Sequence, residues 1–466
     1  MSLGFGLAIL MQASAEVRLP AIIGDHMVIQ RDSEAPIWGW AQAGASVTVA
    51  IAGQSHTAET GEDDRWMVRL EPLPAGGPHE LTITVGDASR TLGDVMVGEV
   101  WIASGQSNME WSVAKSGDSE QVRVGADYPG IRLMTVKRAA ADEPQDDFEG
   151  AWARCSPETV NEFSAVAYHF GRMLHGELDV PIGLIHTSWG GTPVEAWTSR
   201  DALQSEASIA PLLENYAGRE RRPHQPAVLY NGMIAPLVPY AFRGAIWYQG
   251  ESNAGRAYQY RTLFPLMITD WRSRWDHGEF PFYFVQLANF KPVVDEPGPS
   301  DWAELREAQT MTLAMPNTGM AVIIDIGEAD DIHPANKHDV GKRLALWALA
   351  KDYGKDIVHS GPLMRAHRIE GERVIIEFDH IGEGLVAKDG DQLTGFTIAG
   401  SDEKFVWANA KIDGDRVIVW HEDITSPAAV RYAWADNPVC NLYNKSDLPA
   451  SPFRTDEWPG ITHERD

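Results

Sequence analysis

Ser107 lies in Ser104-Gly105-Gln106-Ser107-Asn108-Met109, directly after an apolar run over 97–103. A strand that ends in Gly-x-Ser-Asn presents one hydroxyl at the edge of a sheet. Gly105 permits a tight turn beside that hydroxyl. The start of the next helix turns backbone N–H groups toward it. These are the parts of an acyl-transfer nucleophile. Three later segments offer partners: Thr187-Ser188-Trp189-Gly190-Gly191-Thr192, Tyr248-Gln249-Gly250-Glu251-Ser252-Asn253 and Asp330-Asp331-Ile332-His333. His333 is the candidate base. Its imidazole needs an acceptor at Nδ1, and Asp330, three residues earlier, is placed to be one, with Asp331 as competitor. The amides of Ser107 and Gly190 and the side chain of Gln249 are candidate oxyanion donors. Gln106, Asn108, Trp189 and Glu251 are candidate substrate-binding groups, although Glu251 reads first as a structural acid that holds its own loop. Each segment alone is also an ordinary turn or helix cap; their coincidence points to chemistry.

The elements that must position these residues follow from the apolar pattern. Strand candidates fall at 97–103, 181–187, 243–248, 281–287 and 320–325. Between and after them Phe163, Val166, Phe170 and Leu174, then Tyr260, Leu263, Phe264, Met267 and Trp271, then Val340, Leu344 and Trp347 follow helical spacing. Continuous apolar strands alternating with helices predict an α/β fold, a parallel sheet covered on both faces. Such sheets carry their sites at the carboxyl ends of the strands, where all four segments lie. On either side the period becomes two. Val47-Val49-Ile51, Trp66-Val68-Leu70 and Leu81-Ile83-Val85 predict an N-terminal β-sandwich over 17–97. Val374-Ile376-Phe378, Phe396-Ile398, Val417-Val419 and Val430-Tyr432-Trp434 predict a C-terminal β-rich domain over 356–466. The catalytic domain spans 98–355, and Asn441 to Gly460 is expected to wrap over a surface. Residues 1–16 carry an apolar stretch and Ala13-Ser14-Ala15, the pattern of a cleaved secretory signal, which predicts a periplasmic or secreted protein.

The chain has 39 basic and 66 acidic residues and a formal charge of −27, which opposes nucleic acid and anionic lipid as partners. No later stretch is long and apolar enough to span a membrane. Cys155 and Cys440 have no Cys or His at metal-ligand spacing, so no metal site is expected, and free thiols are the default. Trp101, Trp111, Trp189, Trp197 and Trp247 cluster near the motifs; most are expected in the core, with one or two free to stack on a sugar face.

With these residues in hand, the chain resembles the sialate O-acetylesterase family of the SGNH hydrolase superfamily. The likeness rests on Gly24-Asp25-His26-Met27-Val28-Ile29-Gln30, Gly105-Gln106-Ser107-Asn108-Met109, Gly190-Gly191-Thr192-Pro193-Val194-Glu195-Ala196-Trp197 and Trp247-Tyr248-Gln249-Gly250-Glu251-Ser252-Asn253. Ile332-His333-Pro334-Ala335-Asn336-Lys337, Arg431 to Pro438 and Asn441-Leu442-Tyr443-Asn444 extend it over nearly the whole chain. The resemblance implies an SGNH-type central sheet and cofactor-free hydrolysis of acetyl esters on carbohydrates. It implies Ser107 as nucleophile, His333 as base, Gly190 rather than Gly191 as amide donor, and Gln249 rather than Asn253 in the oxyanion hole. Its Asp-x-x-His spacing selects Asp330, while a Ser–His dyad held by a backbone carbonyl is the other arrangement it admits.

Two other function classes compete. One is a non-catalytic carbohydrate-binding protein with a decayed hydrolase core, against which the intact Ser107, Gly190, Gln249 and His333 set argues. The other is a long-chain esterase, disfavoured by polar, Trp-bearing loops. Sialic acid carries a carboxylate, for which Arg200, Arg221, Arg222 and Arg256 are the candidate cations; a neutral plant glycan needs none, and the reading leans to plant-type or general acetylated glycans.

Overall fold

A computed structural model describes residues 17–216 and 222–465. The expected signal segment and Arg221 lie outside these. The centre is an eleven-stranded mixed sheet. Its seven-strand spine consists of β1 (Ala88–Gly105), β2 (Tyr128–Thr135), β3 (Trp152–Cys155), β4 (Ile182–Ser188), β5 (Gly244–Tyr248), β6 (Phe282–Val285) and β7 (Thr318–Ala321), in the spatial order β7-β6-β5-β1-β4-β2-β3. All spine neighbours are parallel except β2 and β3. The wholly parallel expectation is thereby corrected to a mixed sheet. Neither β2 nor β3 was anticipated, because Arg132 and Arg154 interrupt their apolar runs.

Residues of β1 alternate between two cores. Trp101 and Ala103 join the cluster on one face, while Val100 and Ile102 join the cluster on the other. Helices cover both faces, which is why residues 100–103 of the strand read as a continuous apolar run. On the first face α1 (Ala165–Leu178) packs against the last helix of the domain with Val166, Phe170, Val340 and Leu344. That helix, α4 (Lys337–Lys351), is capped by Asn336, whose side chain accepts from the Asp339 N–H. On the second face α2 (Ala257–Trp275) and α3 (Asp301–Met311) bury Tyr260, Phe264, Trp271 and Leu305.

The first half of β1 pairs with N-terminal strands Val28–Gln30 and Gly76–Val85, so the boundary expected at 97/98 falls inside one uninterrupted strand. The N-terminal apolar residues Val47, Val49 and Ile83 share the larger core of the central sheet. The C-terminal region has its own core of Val374, Ile376, Phe396, Val417, Val430 and Tyr432, on antiparallel strands at the expected positions. Its final residues return to the catalytic region, where Glu304 accepts from the amides of Ile461 and Thr462 at 2.7 and 3.1 Å. Cys155 and Cys440 are free. Among the described residues no helix is long and apolar enough to cross a membrane.

Candidate active site

Register places the first three loops at one level. Gly105 pairs with Ser188 on β4 and with Tyr248 on β5, so the chain leaves all three strands side by side. Gly105 has φ +137°, and a Cβ there would lie 2.1 Å from the Tyr248 carbonyl oxygen. No other residue fits so close an approach. The Gln106 N–H donates to that carbonyl at 2.9 Å, and a single helical turn over Ser107–Glu110 follows. The Ser107 amide opens this turn and has no intrahelical acceptor.

His333 arrives from the loop between β7 and α4. Its Nε2 lies 2.9 Å from Ser107 Oγ. Its ring stacks on Trp111, centroids 4.9 Å apart and 14° from parallel. Asp331 Oδ1 accepts the His333 backbone N–H at 2.8 Å and lies 3.3 Å from Nδ1. Burial lowers the His333 pKa from its ordinary value, the Asp331 carboxylate opposes that, and the Lys337 ammonium adds to it. A neutral ring with its proton on Nδ1 can then receive the Ser107 proton at Nε2.

The expectation for Asp330 is corrected. Asp330 is exposed and makes no hydrogen bond or ion pair among the described residues. The segment forms an Asx turn, in which a side chain accepts from the amide two residues on. That turn brings Asp331, not Asp330, to the imidazole.

Gln249 is corrected as well. It is fully buried, and both protons of its amide are used, on the Thr192 carbonyl at 3.2 Å and on Asn253 Oδ1 at 2.7 Å. Its oxygen accepts from the Tyr260 hydroxyl at 2.9 Å. It braces the second loop against the third and has no proton left for an oxyanion. Gly190 does stand beside Ser107: a Cβ on it would lie 3.2 Å from Ser107 Cβ. Its N–H donates to Glu110 Oε2 at 3.0 Å.

Three of the four expected substrate-binding groups face inward. Gln106 Oε1 accepts from the amides of Gly250 and Ser252 at 3.4 and 3.2 Å. Asn108 donates to Glu251 Oε1 at 2.6 Å and to the Ile332 carbonyl at 3.0 Å, and accepts from Lys337 Nζ at 2.5 Å. Asn108 thus ties the Ser107 turn to the His333 loop. Burial raises the Glu251 pKa, against the bond from Asn108 and the charge of Lys337. Burial also pulls Lys337 down to about 7, with Glu251 opposing. Trp189 is the exception: it is half-buried, with the Arg138 guanidinium 5.8 Å above its ring. Trp101, Trp197 and Trp247 are core residues.

A cleft of about 450 Å³ opens over Ser107 and His333 and is lined by Lys115, Lys137, Arg138, Glu110 and Glu162. Sequence reasoning missed these groups. Glu110 had a signal, since it follows Ser107 by three residues and one helical turn brings such positions together. Lys137 and Arg138 had none, because they follow the end of the unanticipated β2. Of the candidate arginines, Arg256 pairs with Glu195 at 2.6 Å and Arg222 pairs with Asp142. Among the described residues no His, Cys, Asp and Glu group suited to a metal ion occurs.

A family model described as carbohydrate esterase, sialic acid-specific acetylesterase, matches residues 97–350. A protein named sialate O-acetylesterase from Rattus norvegicus is 32% identical over 510 residues, covering 94% of each chain. One of the same name from Homo sapiens is 32% identical over 503 residues, covering 95% of this chain and 94% of its own. The crystal structure of a carbohydrate acetylesterase from Xanthomonas citri superposes with a TM-score of 0.89 at 41% identity, over 95% of this chain and 100% of that one.

Proposed function

The chain belongs to the sialic acid-specific acetylesterase family of carbohydrate esterases, and from that premise we propose how its residues remove O-acetyl groups from carbohydrates. It is a carboxylic ester hydrolase. The observation that carries the assignment of roles is the 2.9 Å contact between Ser107 Oγ and His333 Nε2 at the floor of the cleft.

Ser107 Oγ attacks the acetyl carbonyl carbon as its proton passes to Nε2. The carbonyl electrons move to oxygen, and that oxyanion meets the Ser107 amide, and the Gly190 amide once Glu110 no longer holds it. The imidazolium is stabilised by Asp331 and shielded on one face by Trp111. As the carbon–oxygen bond to the sugar breaks, Nε2 returns the proton to the departing sugar oxygen, which leaves an acetyl group on Ser107. Water then attacks, His333 takes its proton, and acetate departs as Ser107 regains its hydrogen. The sheet is read as SGNH-type, with its nucleophile at the end of β1, and the three regions bounded at 97/98 and 355/356 are kept as functional units. The protein is placed in the periplasm or outside the cell on the pattern of residues 1–16; N-terminal sequencing of exported protein checks this.

Lys115 supports an acidic sugar among the substrates. It is exposed at the cleft and pairs with no carboxylate among the described residues. Acetate release from a panel of O-acetylated sialic acids and neutral acetylated glycans tests the assignment. Hydrolysis of at least one class is expected, and release from none would refute it.

A further inference from the structure

Glu110 is not accounted for by the acyl-transfer machinery, yet it touches it. Its Oε2 accepts from the Gly190 N–H at 3.0 Å, and that amide carries a single proton. A Cβ built on Gly190 would meet the same oxygen at 3.0 Å and Ser107 Cβ at 3.2 Å, so the carboxylate lies against the reacting centre. Its other oxygen pairs with Arg138, whose side chain is half exposed on the cleft wall. The Gly190 amide cannot serve a substrate's carbonyl oxygen and Glu110 at once. An oxyanion developing beside an unmoved carboxylate is repelled by it.

The groups around Glu110 show what could take the carboxylate off the amide. It is only partly buried, at 21% side-chain exposure, and it stands on a helix of one turn, so its side chain has room to rotate into the cleft. Once rotated it loses one hydrogen bond and needs a donor in return. Carbohydrate acetates carry such donors as hydroxyls next to the ester, whereas simple aryl acetates carry none. A site built around an acceptor discriminates strongly against a substrate that lacks the matching donor.

We propose that Glu110 determines specificity: its carboxylate competes with the ester for the Gly190 amide, and a free hydroxyl of the sugar, donating to Glu110, releases that amide to the oxyanion. This rests on the reading of Ser107 as the acyl-transfer nucleophile. Arg138, paired with the other carboxylate oxygen, keeps Oε2 aimed at the Gly190 amide.

The test compares wild type, Glu110→Ala and Glu110→Gln on two acetates. One is p-nitrophenyl acetate, and the other is a mono-O-acetylated methyl glycoside with its remaining hydroxyls free. In Glu110→Ala, kcat/KM for p-nitrophenyl acetate is expected to rise roughly 2- to 10-fold, the worth of one net hydrogen bond. For the glycoside it is expected to fall by a similar factor. Glu110→Gln keeps the shape and lacks the charge, so it should shift the ratio in the same direction and serves if the alanine variant does not fold. A parallel fall on both substrates would mean a structural role and overturn the proposal. So would a parallel rise, or no change in the ratio. Full activity of a Ser107→Ala variant would instead overturn the underlying nucleophile, a separate failure.

Discussion

Asp331 holds His333 twice, through the backbone N–H at 2.8 Å and beside Nδ1 at 3.3 Å. The two contacts come from one oxygen, so the turn that shapes the loop also sets the ring. Asp331→Asn should therefore lower kcat roughly 10²-fold or more, because the tautomer and the imidazolium lose their anchor. Asp330→Asn should stay within about twofold, as an exposed charge away from the ring. Steady-state kinetics on an acetylated sugar decides between them. The reverse order would return the acid role to Asp330.

The pH profile follows from the direction of the His333 shift. Burial and Lys337 lower its pKa, so the acid limb of kcat/KM should fall below the ordinary imidazole value of about 6.5. Activity is lost as pH drops through that pKa, where the base becomes protonated. Asp331 pulls the pKa upward, so in Asp331→Asn the limb should move further down. A limb above 6.5 in wild type would contradict the burial argument.

Gln249 and Asn108 should behave as braces. Gln249→Ala leaves the Tyr260 hydroxyl and the Thr192 carbonyl short of partners in a fully buried site. Asn108→Ala strands Lys337, Glu251 and the Ile332 carbonyl. Each variant should lose roughly 2–4 kcal/mol in urea unfolding, the cost of buried polar groups left unpaired. A 10²-fold fall in kcat for Gln249→Ala with unchanged stability would make it an oxyanion donor after all.

Lys115→Gln should raise KM about two- to fivefold for an O-acetylated acidic sugar, the worth of one exposed ion pair. It should leave p-nitrophenyl acetate unaffected. An equal effect on both substrates would remove Lys115 from carboxylate recognition.

Much of this arrangement was legible in the chain. The central stretches of the strands that carry the loops are mostly apolar because both faces of the sheet are buried; Gly105 ends β1, Ser107 and Gly190 follow β1 and β4 closely, and His333 lies in the loop after β7. Three things were not legible. The spacing of Asp330 suits a turn that closes over three residues, but the loop forms an Asx turn that closes over two. Gln249 has the chemistry of an oxyanion donor, and only tertiary packing against Thr192, Asn253 and Tyr260 shows its protons to be used. Two cations of the cleft, Lys137 and Arg138, follow β2, whose arginine broke the apolar pattern.

The central claim is that Ser107 is the nucleophile. Acetate release by Ser107→Ala, measured on a carbohydrate acetate alongside wild type and with folding checked by thermal melting, tests it most directly. A rate roughly 10³-fold or more below wild type, in a protein that melts as wild type does, is the predicted result. A Ser107→Ala protein that still releases acetate at the wild-type rate would contradict it.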